Sequence, residues 1–193
     1  MSTRFNRSMV ELLEHYKVIP AVVNRAQLQQ VLKTSACKVV LLRHCNLLEL
    51  APILQQARQC ALYVNIDSIE GVHADVAGLS YLSNTLGIAG ILSANPKALV
   101  VGKVQGMETV LRIFAADSTG LESALEAFDP AYVDLLDVSP ALAIPSIVPP
   151  LKSILPVPFI GSGLISSSEQ VQAVMDAGAI GVVLAQDEWP GTA

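Results

Sequence analysis

The sequence predicts a single, small (β/α)8 barrel of the TIM type that occupies residues 1–193. Eight short apolar runs recur along the chain, and each leads into a polar cap residue and an amphipathic stretch. Most of the runs are continuous rather than alternating, as in parallel strands that are buried on both faces. No GxGxxG follows the first run, which favours a closed barrel over a doubly wound sheet.

The runs fix the predicted elements in order. The predicted strands are 18–23, 38–43, 61–67, 88–93, 109–115, 132–137, 157–161 and 180–185. Residues 5–16 predict an extra helix that closes the bottom of the barrel, and the proline-rich sixth unit predicts a broken helix. The tail after Ala185 is too short for a full helix, so we expect the last helix to be truncated or missing.

Capping residues predict where the helices begin and end. A side-chain cap followed three residues later by Glu or Gln is the capping-box spacing, and a cap followed by proline marks a first helical turn. The pairs with the first spacing are Asn24 with Gln27, Asn46 with Glu49, Thr119 with Glu122, and Ser166 with Glu169. Asn95 and Ser139 each precede a proline, and Gly178 is the expected C-cap before the last strand.

Composition excludes several classes of protein. With 52% hydrophobic and 15% charged residues the chain can bury enough apolar area to fold, which excludes disorder. No apolar run reaches the roughly 18 residues of a membrane span, and the polar start lacks the core of a signal peptide. We therefore expect a soluble, cytoplasmic protein without a membrane partner.

Charge and cysteine content bear on partners and cofactors. The net charge is −5 and the 12 basic residues are scattered along the sequence, so charge gives RNA binding by this domain no support. The three cysteines show no ligand spacing, which predicts free thiols. Metal ligands do not cluster in the sequence, and we expect neither a metal nor a cofactor.

In a barrel of this type, function lies at the carboxyl ends of the strands. The polar residues that follow the predicted strands are Asn24, Arg25, Arg43, His44, Asp67, Glu70, Ser93, Asn95, Lys97, Arg112, Asp117, Asp134 and Asp137. The turn from Gly161 to Leu164 follows the seventh strand, where barrels often bind phosphate through backbone N–H groups. The alternative for this turn is a tight turn that needs glycine for its backbone geometry.

Three of these residues have competing interpretations. Asp67 is a ligand for a hydroxyl group, a helix cap, or a partner of Arg43. Arg112 lies in an apolar run, where a charge must bind an anion or pair with a carboxylate such as Asp67 or Asp134. His44 is an acid–base candidate or a polar neighbour of a cap. No catalytic residues stand out, so the sequence favours a regulator over an enzyme.

Several segments together resemble a known family. These are V-N-I-D-S-I-E-G, L-R-I-F-A-A-D-S, V-P-F-I-G-S-G-L-I and A-G-A-I-G-V, with P-A-V-V-N and I-L-S-A-N earlier in the chain. In order and spacing they are similar to the glycerol-3-phosphate-responsive antiterminators of bacterial glycerol operons. The resemblance extends from about Ile19 to Trp189.

The resemblance implies a barrel that binds glycerol 3-phosphate and promotes antitermination on the leader mRNA of glycerol-utilisation genes. It implies a phosphate site at Gly161, Ser162 and Gly163, helped by Ala185 and Gln186. Asp67, Arg112, Ser93, Lys97 and Asp134 would line the mouth.

The chain departs from the family's usual residues at several of these places. Asn65 replaces a histidine, and Asn95 and Ser166 each replace a basic residue. These differences predict a diverged member with an altered effector site. The alternatives are a barrel enzyme for a small phosphorylated substrate, with Asp67 and His44 as its acid–base pair, and a non-catalytic interaction module. A truncated last helix also makes a homo-oligomer a candidate assembly.

Overall fold

The computed structural model describes residues 7–34, 37–126 and 128–185, which form a closed barrel of eight parallel strands. The strands are β1 (Val18–Val22), β2 (Val39–Leu42), β3 (Ala61–Asn65), β4 (Gly90–Ser93), β5 (Glu108–Phe114), β6 (Leu135–Ser139), β7 (Phe159–Ser162) and β8 (Gly181–Ala185). Each strand pairs in parallel with its neighbours along the chain, and β8 closes the barrel against β1. The predicted fold class is confirmed.

Helices alternate with these strands. They are α1 (Met9–Leu13), α2 (Arg25–Thr34), α3 (Leu47–Gln56), α4 (Val76–Ser80), α5 (Pro96–Val104), α6 (Ser118–Glu126), α7 (Leu151–Ile154) and α8 (Ser168–Asp176). A π-helical turn, Tyr81–Leu86, continues α4, and short 3-10 turns cover Ile66–Ser68, Pro130–Tyr132 and Ala141–Ser146. Cys45–Asn46 and Ile69–Glu70 form a separate two-stranded parallel ribbon. No helix in the described part of the chain is long and apolar enough to span a bilayer.

The strands bury apolar side chains on both of their faces, which explains the continuous apolar runs. One buried cluster fills the barrel interior and includes Ala21, Leu41, Tyr63, Val110 and Ile160. The other cluster lies between the outer face of the barrel and the helices. The amino-terminal ends of the strands form one end of the barrel, here called the bottom, and the carboxyl ends form the mouth.

Helix α1 covers the bottom of the barrel. It is shorter than the predicted helix over 5–16, and its Met9, Leu12 and Leu13 join the interior cluster. The Met9 N–H donates a 2.8 Å hydrogen bond to Glu108 Oε2, which also accepts from the Tyr63 hydroxyl. Burial raises the pKa of both the Glu108 carboxyl and the Tyr63 hydroxyl, because a charge here would be poorly solvated.

Glycine is required where β4 crosses the Tyr63 ring. A Cβ atom at Gly90 would lie 2.5 Å from Tyr63 Cε1 and 2.5 Å from the Glu108 carbonyl oxygen. Neither the ring nor the backbone can move away easily in a packed interior. The interior layer at the bottom therefore depends on a residue without a side chain.

About half of the predicted helix boundaries are confirmed. Asn24, Asn46 and Asn95 accept hydrogen bonds from the backbone of Gln27, Glu49 and Lys97, as their spacing predicts. Gly178, with φ +105°, follows the end of α8 as expected. The predicted caps Thr119, Ser139 and Ser166 are wrong. Asp117 accepts from the N–H of Gly120 in the first turn of α6, Pro140 precedes the 3-10 turn after β6, and Ser167 caps α8.

The sixth unit contains the largest displacement from the prediction. The apolar run 132–137 predicts a strand, but Asp129 caps a 3-10 turn at Pro130–Tyr132 and β6 begins only at Leu135. The predicted broken helix is confirmed as the turn Ala141–Ser146 followed by the short α7. The predicted truncation of the last helix and Gln186 lie outside the described residues.

Candidate functional site

The mouth of the barrel carries a polar layer above the apolar interior. Side chains alternate along a strand, so the residues two positions beyond the inward-facing Tyr63, Val110, Leu135 and Ile160 also face inward. Those residues are Asn65, Arg112, Asp137 and Ser162. They come from β3, β5, β6 and β7, and we call them the polar layer.

An ion pair between neighbouring strands forms the middle of the polar layer. Arg112 and Asp137 are register partners on β5 and β6, and both Nε and Nη2 of Arg112 lie 2.8 Å from Asp137 Oδ2. The Asp137 side chain is 0% exposed and that of Arg112 is 17% exposed. A buried charge is tolerated only when it is paired, so Asp137 both neutralises and orients the guanidinium. Arg112 thus pairs with Asp137 rather than with Asp67 or Asp134.

Two buried acceptors in this layer have no hydrogen-bond donor among the described residues. They are Asn65 Oδ1 and Asp137 Oδ1. The amide nitrogen of Asn65 donates to Ser68 Oγ at 3.0 Å, which fixes the side chain at the end of β3. A buried polar atom without a partner costs about 1–3 kcal/mol, which a bound molecule with hydroxyl groups would recover.

The turn after β7 presents free donors beside the polar layer. The Ser162 side chain is buried at 6% exposure, and Gly163 and Leu164 both have left-handed backbone, with φ +83° and +63°. Within the described part of the chain, no group accepts from the Ser162 hydroxyl or from the N–H groups of Gly163 and Leu164. Such donors at the start of a helical unit suit an anion.

Gly161 has a packing role in addition to the phosphate contact that the resemblance implies. A Cβ atom there would lie 2.9 Å from Ile144 Cδ1 and 3.0 Å from Val174 Cγ1. Gly161 therefore lets the 3-10 turn after β6 and helix α8 pack closely on β7. Its neighbour Ser162 faces the interior, because successive residues of a strand point to opposite faces.

Asp67 ties two loops together at the mouth. Its carboxylate accepts from Ser93 Oγ at 2.6 Å and from the N–H of Ala94 at 2.7 Å. The Ser93 hydroxyl in turn accepts from the N–H of Asn95, the cap of α5. None of the three interpretations of Asp67 describes this role: it joins the turn after β3 to the end of β4. Lys97, also predicted to line the mouth, is exposed in the first turn of α5.

Asp134 lies at the wrong end of the barrel to line the mouth. It precedes β6, forms an ion pair with Lys103, and accepts from the N–H of Thr109 at 2.9 Å, near the start of β5. The prediction failed because β6 begins three residues later than the apolar run suggested. Asp137 is the β6 carboxylate that the mouth contains.

The acid–base pair that an enzyme would need does not form. His44 is exposed, and its Nε2 lies 3.8 Å from Glu70 Oε1 across the small ribbon. Asp67 contacts Ser93 and Ala94 instead. The described residues contain no group of three or more side chains that could hold a metal ion.

A separate apolar groove lies outside the barrel, between α6 and the segment that leads into α7. It has a volume of about 450 Å3. Its lining includes Leu121, Leu125, Ile147, Val148 and Ile154. The groove exists because the sixth unit has only a short helix, and it shares no residue with the polar layer.

The sequence alone missed Asn65 as a site residue and assigned Asp134, rather than Asp137, to the mouth. Alternation would have found both, since Asn65 continues the inward series from Tyr63, and Asp137 continues it from Leu135. Ala185, the last residue of β8, lies at the mouth end of its strand.

Comparison with known proteins gives one family. The model of the glycerol-3-phosphate responsive antiterminator family matches residues 18–189. No curated protein matches the chain.

Solved structures share the fold. The glycerol uptake operon antiterminator regulatory protein of Listeria monocytogenes is 23% identical, with a TM-score of 0.82 over 98% of this chain and 100% of that one. A glycerol uptake operon antiterminator-related protein of Thermotoga maritima is also 23% identical, with a TM-score of 0.74 over 88% of this chain and 94% of that one. An N-acetylmannosamine-6-phosphate 2-epimerase from Clostridium perfringens is 11% identical, with a TM-score of 0.67 over 97% of this chain and 93% of that one.

Proposed function

The chain belongs to the glycerol-3-phosphate responsive antiterminator family, and on that premise we propose that its mouth binds glycerol 3-phosphate. The bound state then promotes antitermination on the leader mRNA of glycerol-utilisation genes. The role places the protein in the cytoplasm, where transcripts are made. It is a sensor and not an enzyme in this proposal, since His44 and Asp67 have other partners.

The observation that carries the ligand proposal is the set of unsatisfied groups at the mouth. Among the described residues, donors without an acceptor lie at Ser162, Gly163 and Leu164, and acceptors without a donor lie at Asn65 and Asp137. A glycerol phosphate can pair with both sets, because its phosphate accepts hydrogen bonds from the donors and its hydroxyl groups donate hydrogen bonds to the acceptors. The phosphate would bind at the β7 turn, with contributions from Ala185 at the end of β8 and from Gln186, the next residue in the sequence.

Arg112 supplies the positive charge of the proposed site. Its Nε and Nη2 both lie 2.8 Å from a single oxygen, Asp137 Oδ2, so Nη1 of the guanidinium remains for a ligand. A paired arginine is a weaker anion ligand than a free one. We therefore expect this diverged site to rely on the backbone donors of the β7 turn as much as on charge.

The proposal is tested by a thermal-shift titration of the full chain with glycerol 3-phosphate, inorganic phosphate and glycerol. A ligand that binds the native state stabilises it by mass action, by about 2.7 kcal/mol at a hundredfold excess over Kd, and therefore raises the melting midpoint. We expect glycerol 3-phosphate to give the largest shift, and Ser162→Asp to abolish it by placing a carboxylate where the phosphate binds.

The matched control is Ser153→Asp, an exposed serine on α7 at the bottom of the barrel. It should leave the shift unchanged. A wild-type midpoint that none of the three compounds moves would contradict the proposal. Turnover of phosphorylated substrates by the wild-type chain would instead support the enzyme alternative.

A further inference from the structure

The fold gathers basic residues that are scattered in the sequence onto one side of the bottom of the barrel. Lys17 directly precedes β1, Lys38 directly precedes β2, and Arg58 lies three residues before β3. These three strands are neighbours in the barrel. Lys33 is in the last turn of α2, which runs from the mouth back to the bottom. We call these four residues the basic rim.

The basic rim is available to a partner. Lys17, Lys33 and Arg58 are exposed and Lys38 is half-buried. None of the four forms an ion pair or a side-chain hydrogen bond within the described part of the chain. The contrast is Lys103, also at the bottom, whose charge Asp134 neutralises.

Acidic residues at the bottom lie mainly on the other side of the barrel. Those at the ends of α6 and α8 and before β6 are Glu126, Asp129, Asp134 and Asp176. On the α1 side, Glu14 is exposed, and the Glu11 carboxylate is engaged by the N–H of Ser8. The bottom therefore has a basic part beneath β1–β3 and, beneath β6–β8, a mainly acidic part that also contains the exposed Lys152, although the net charge of the chain is −5.

We propose that the basic rim is the surface that contacts the phosphate backbone of RNA. The inference rests on the proposed function, which supplies a leader transcript as the partner. Clustered lysine and arginine side chains bind nucleic acid by neutralising phosphates and releasing counterions. Neighbouring strands lie about 4.8 Å apart, so three consecutive strand starts present their charges in a continuous arc.

The surroundings of the rim favour RNA over a protein partner. Protein interfaces have an apolar or aromatic centre. None of the large apolar side chains that are exposed in the described residues lies in the segments 14–17, 31–33, 37–38 or 57–60 that carry the rim. A polar, positively charged surface without an apolar centre is typical of contact with a polyanion.

The rim and the polar layer are at opposite ends of the barrel. RNA and glycerol 3-phosphate can then bind at the same time, without competing for a residue. The strands β2 and β3 extend from the rim to the mouth and so connect the two surfaces.

The test is fluorescence anisotropy of the full chain with a fluorescein-labelled RNA hairpin, between about 50 and 200 mM KCl. The test variant is Lys17→Glu/Lys33→Glu/Arg58→Glu. We expect it to weaken binding by on the order of tenfold or more, and to lower the slope of log K against log salt by about 0.7–0.9 per lost contact.

Two controls accompany the test variant. The charge-preserving variant Lys17→Arg/Lys33→Arg/Arg58→Lys should bind like the wild type, because phosphate neutralisation needs charge at these positions. Lys152→Glu, an exposed cation on α7, should also bind like the wild type. All variants should retain the thermal shift with glycerol 3-phosphate, which verifies that they fold.

Equal RNA affinity of the wild type and the charge-reversed variant would overturn the inference, and so would a wild-type chain that does not bind the hairpin at low salt. Tighter binding of labelled polyglutamate than of the hairpin would assign the rim to an acidic protein instead. If the charge-reversed variant keeps both the glycerol 3-phosphate shift and the RNA affinity of the wild type, only the assignment of RNA binding to the rim is rejected. If RNA binding depends on the rim but glycerol 3-phosphate does not shift the melting midpoint, the ligand proposal is rejected and the RNA proposal is retained.

Discussion

The burial of the ion pair between Arg112 and Asp137 sets how much stability the protein should lose when the pair is broken. Replacing Asp137 with Asn leaves the Arg112 guanidinium, 17% exposed, without its counter-charge. Removing one partner of a buried ion pair costs about 3–5 kcal/mol. We expect about 3 kcal/mol, the lower end, because the arginine can turn its charge towards water at the mouth. At about 2–4 °C per kcal/mol, the melting midpoint falls by about 6–12 °C.

A double variant separates the structural role of the pair from its role in binding. Arg112→Met/Asp137→Leu replaces both charges with apolar side chains of similar size, which is often neutral or stabilising. We expect its free energy of unfolding to be within about 1 kcal/mol of the wild type. It should nevertheless lose the shift with glycerol 3-phosphate, since the cation of the mouth is gone.

The free energies of unfolding come from urea unfolding of the wild type, Asp137→Asn, Arg112→Met, Asp137→Leu and the double variant, each with and without ligand. A coupling free energy near zero would refute the view that the two residues act as a pair. A double variant that responds to glycerol 3-phosphate like the wild type would refute the role of Arg112 in the site.

Three further predictions concern the bottom of the barrel. Burial raises the pKa of the Glu108 carboxyl above its ordinary value of 4.5. The protonated carboxyl therefore stabilises the fold below pH 4.5, and this contribution is lost as the pH rises through the folded-state pKa. The wild type should therefore lose stability relative to Glu108→Gln as pH rises, and parallel unfolding curves at each pH would contradict this. Gly90→Ala should lower the free energy of unfolding by about 1–3 kcal/mol, because its Cβ would overlap the Tyr63 ring. The control Gly120→Ala, on the exposed surface of α6, should change it by less than about 1 kcal/mol, and thermal unfolding measures both. Asp134→Asn should leave the thermal shift with glycerol 3-phosphate unchanged, and loss of that shift would indicate that Asp134 belongs to the ligand site.

Much of the barrel could be predicted because burial on both faces produces continuous apolar runs. Seven of the eight predicted strands overlap the observed ones closely, as in 18–23 against Val18–Val22. The sixth is displaced because Asp129 and Pro130 start a 3-10 turn that ends at Tyr132, the first residue of the predicted run, which hydrophobicity does not reveal. The same displacement made Asp134 look like a residue of the mouth.

The details of the site depend on contacts between segments that are distant in sequence. Asp67 was recognisable as a polar residue at a strand end, but its bonds to Ser93 and Ala94 depend on the next unit of the barrel. Adjacent hydroxyls also compete for the same cap, as Ser166 and Ser167 do before α8. Spacing alone cannot choose between them.

The distribution of charge shows the same limit. Lys17, Lys33, Lys38 and Arg58 are scattered in the sequence and predict no basic patch. Closure of the barrel places three of them at the starts of neighbouring strands.

We propose that the polar layer and the β7 turn hold glycerol 3-phosphate, and a crystal structure of the chain grown with that ligand would show whether they do. We expect density at the mouth, with the phosphate on the N–H groups of Gly163 and Leu164 and hydroxyl groups within hydrogen-bond distance of Asn65 or Asp137. An empty mouth at saturating ligand, or ligand bound in the groove beside α6, would contradict it.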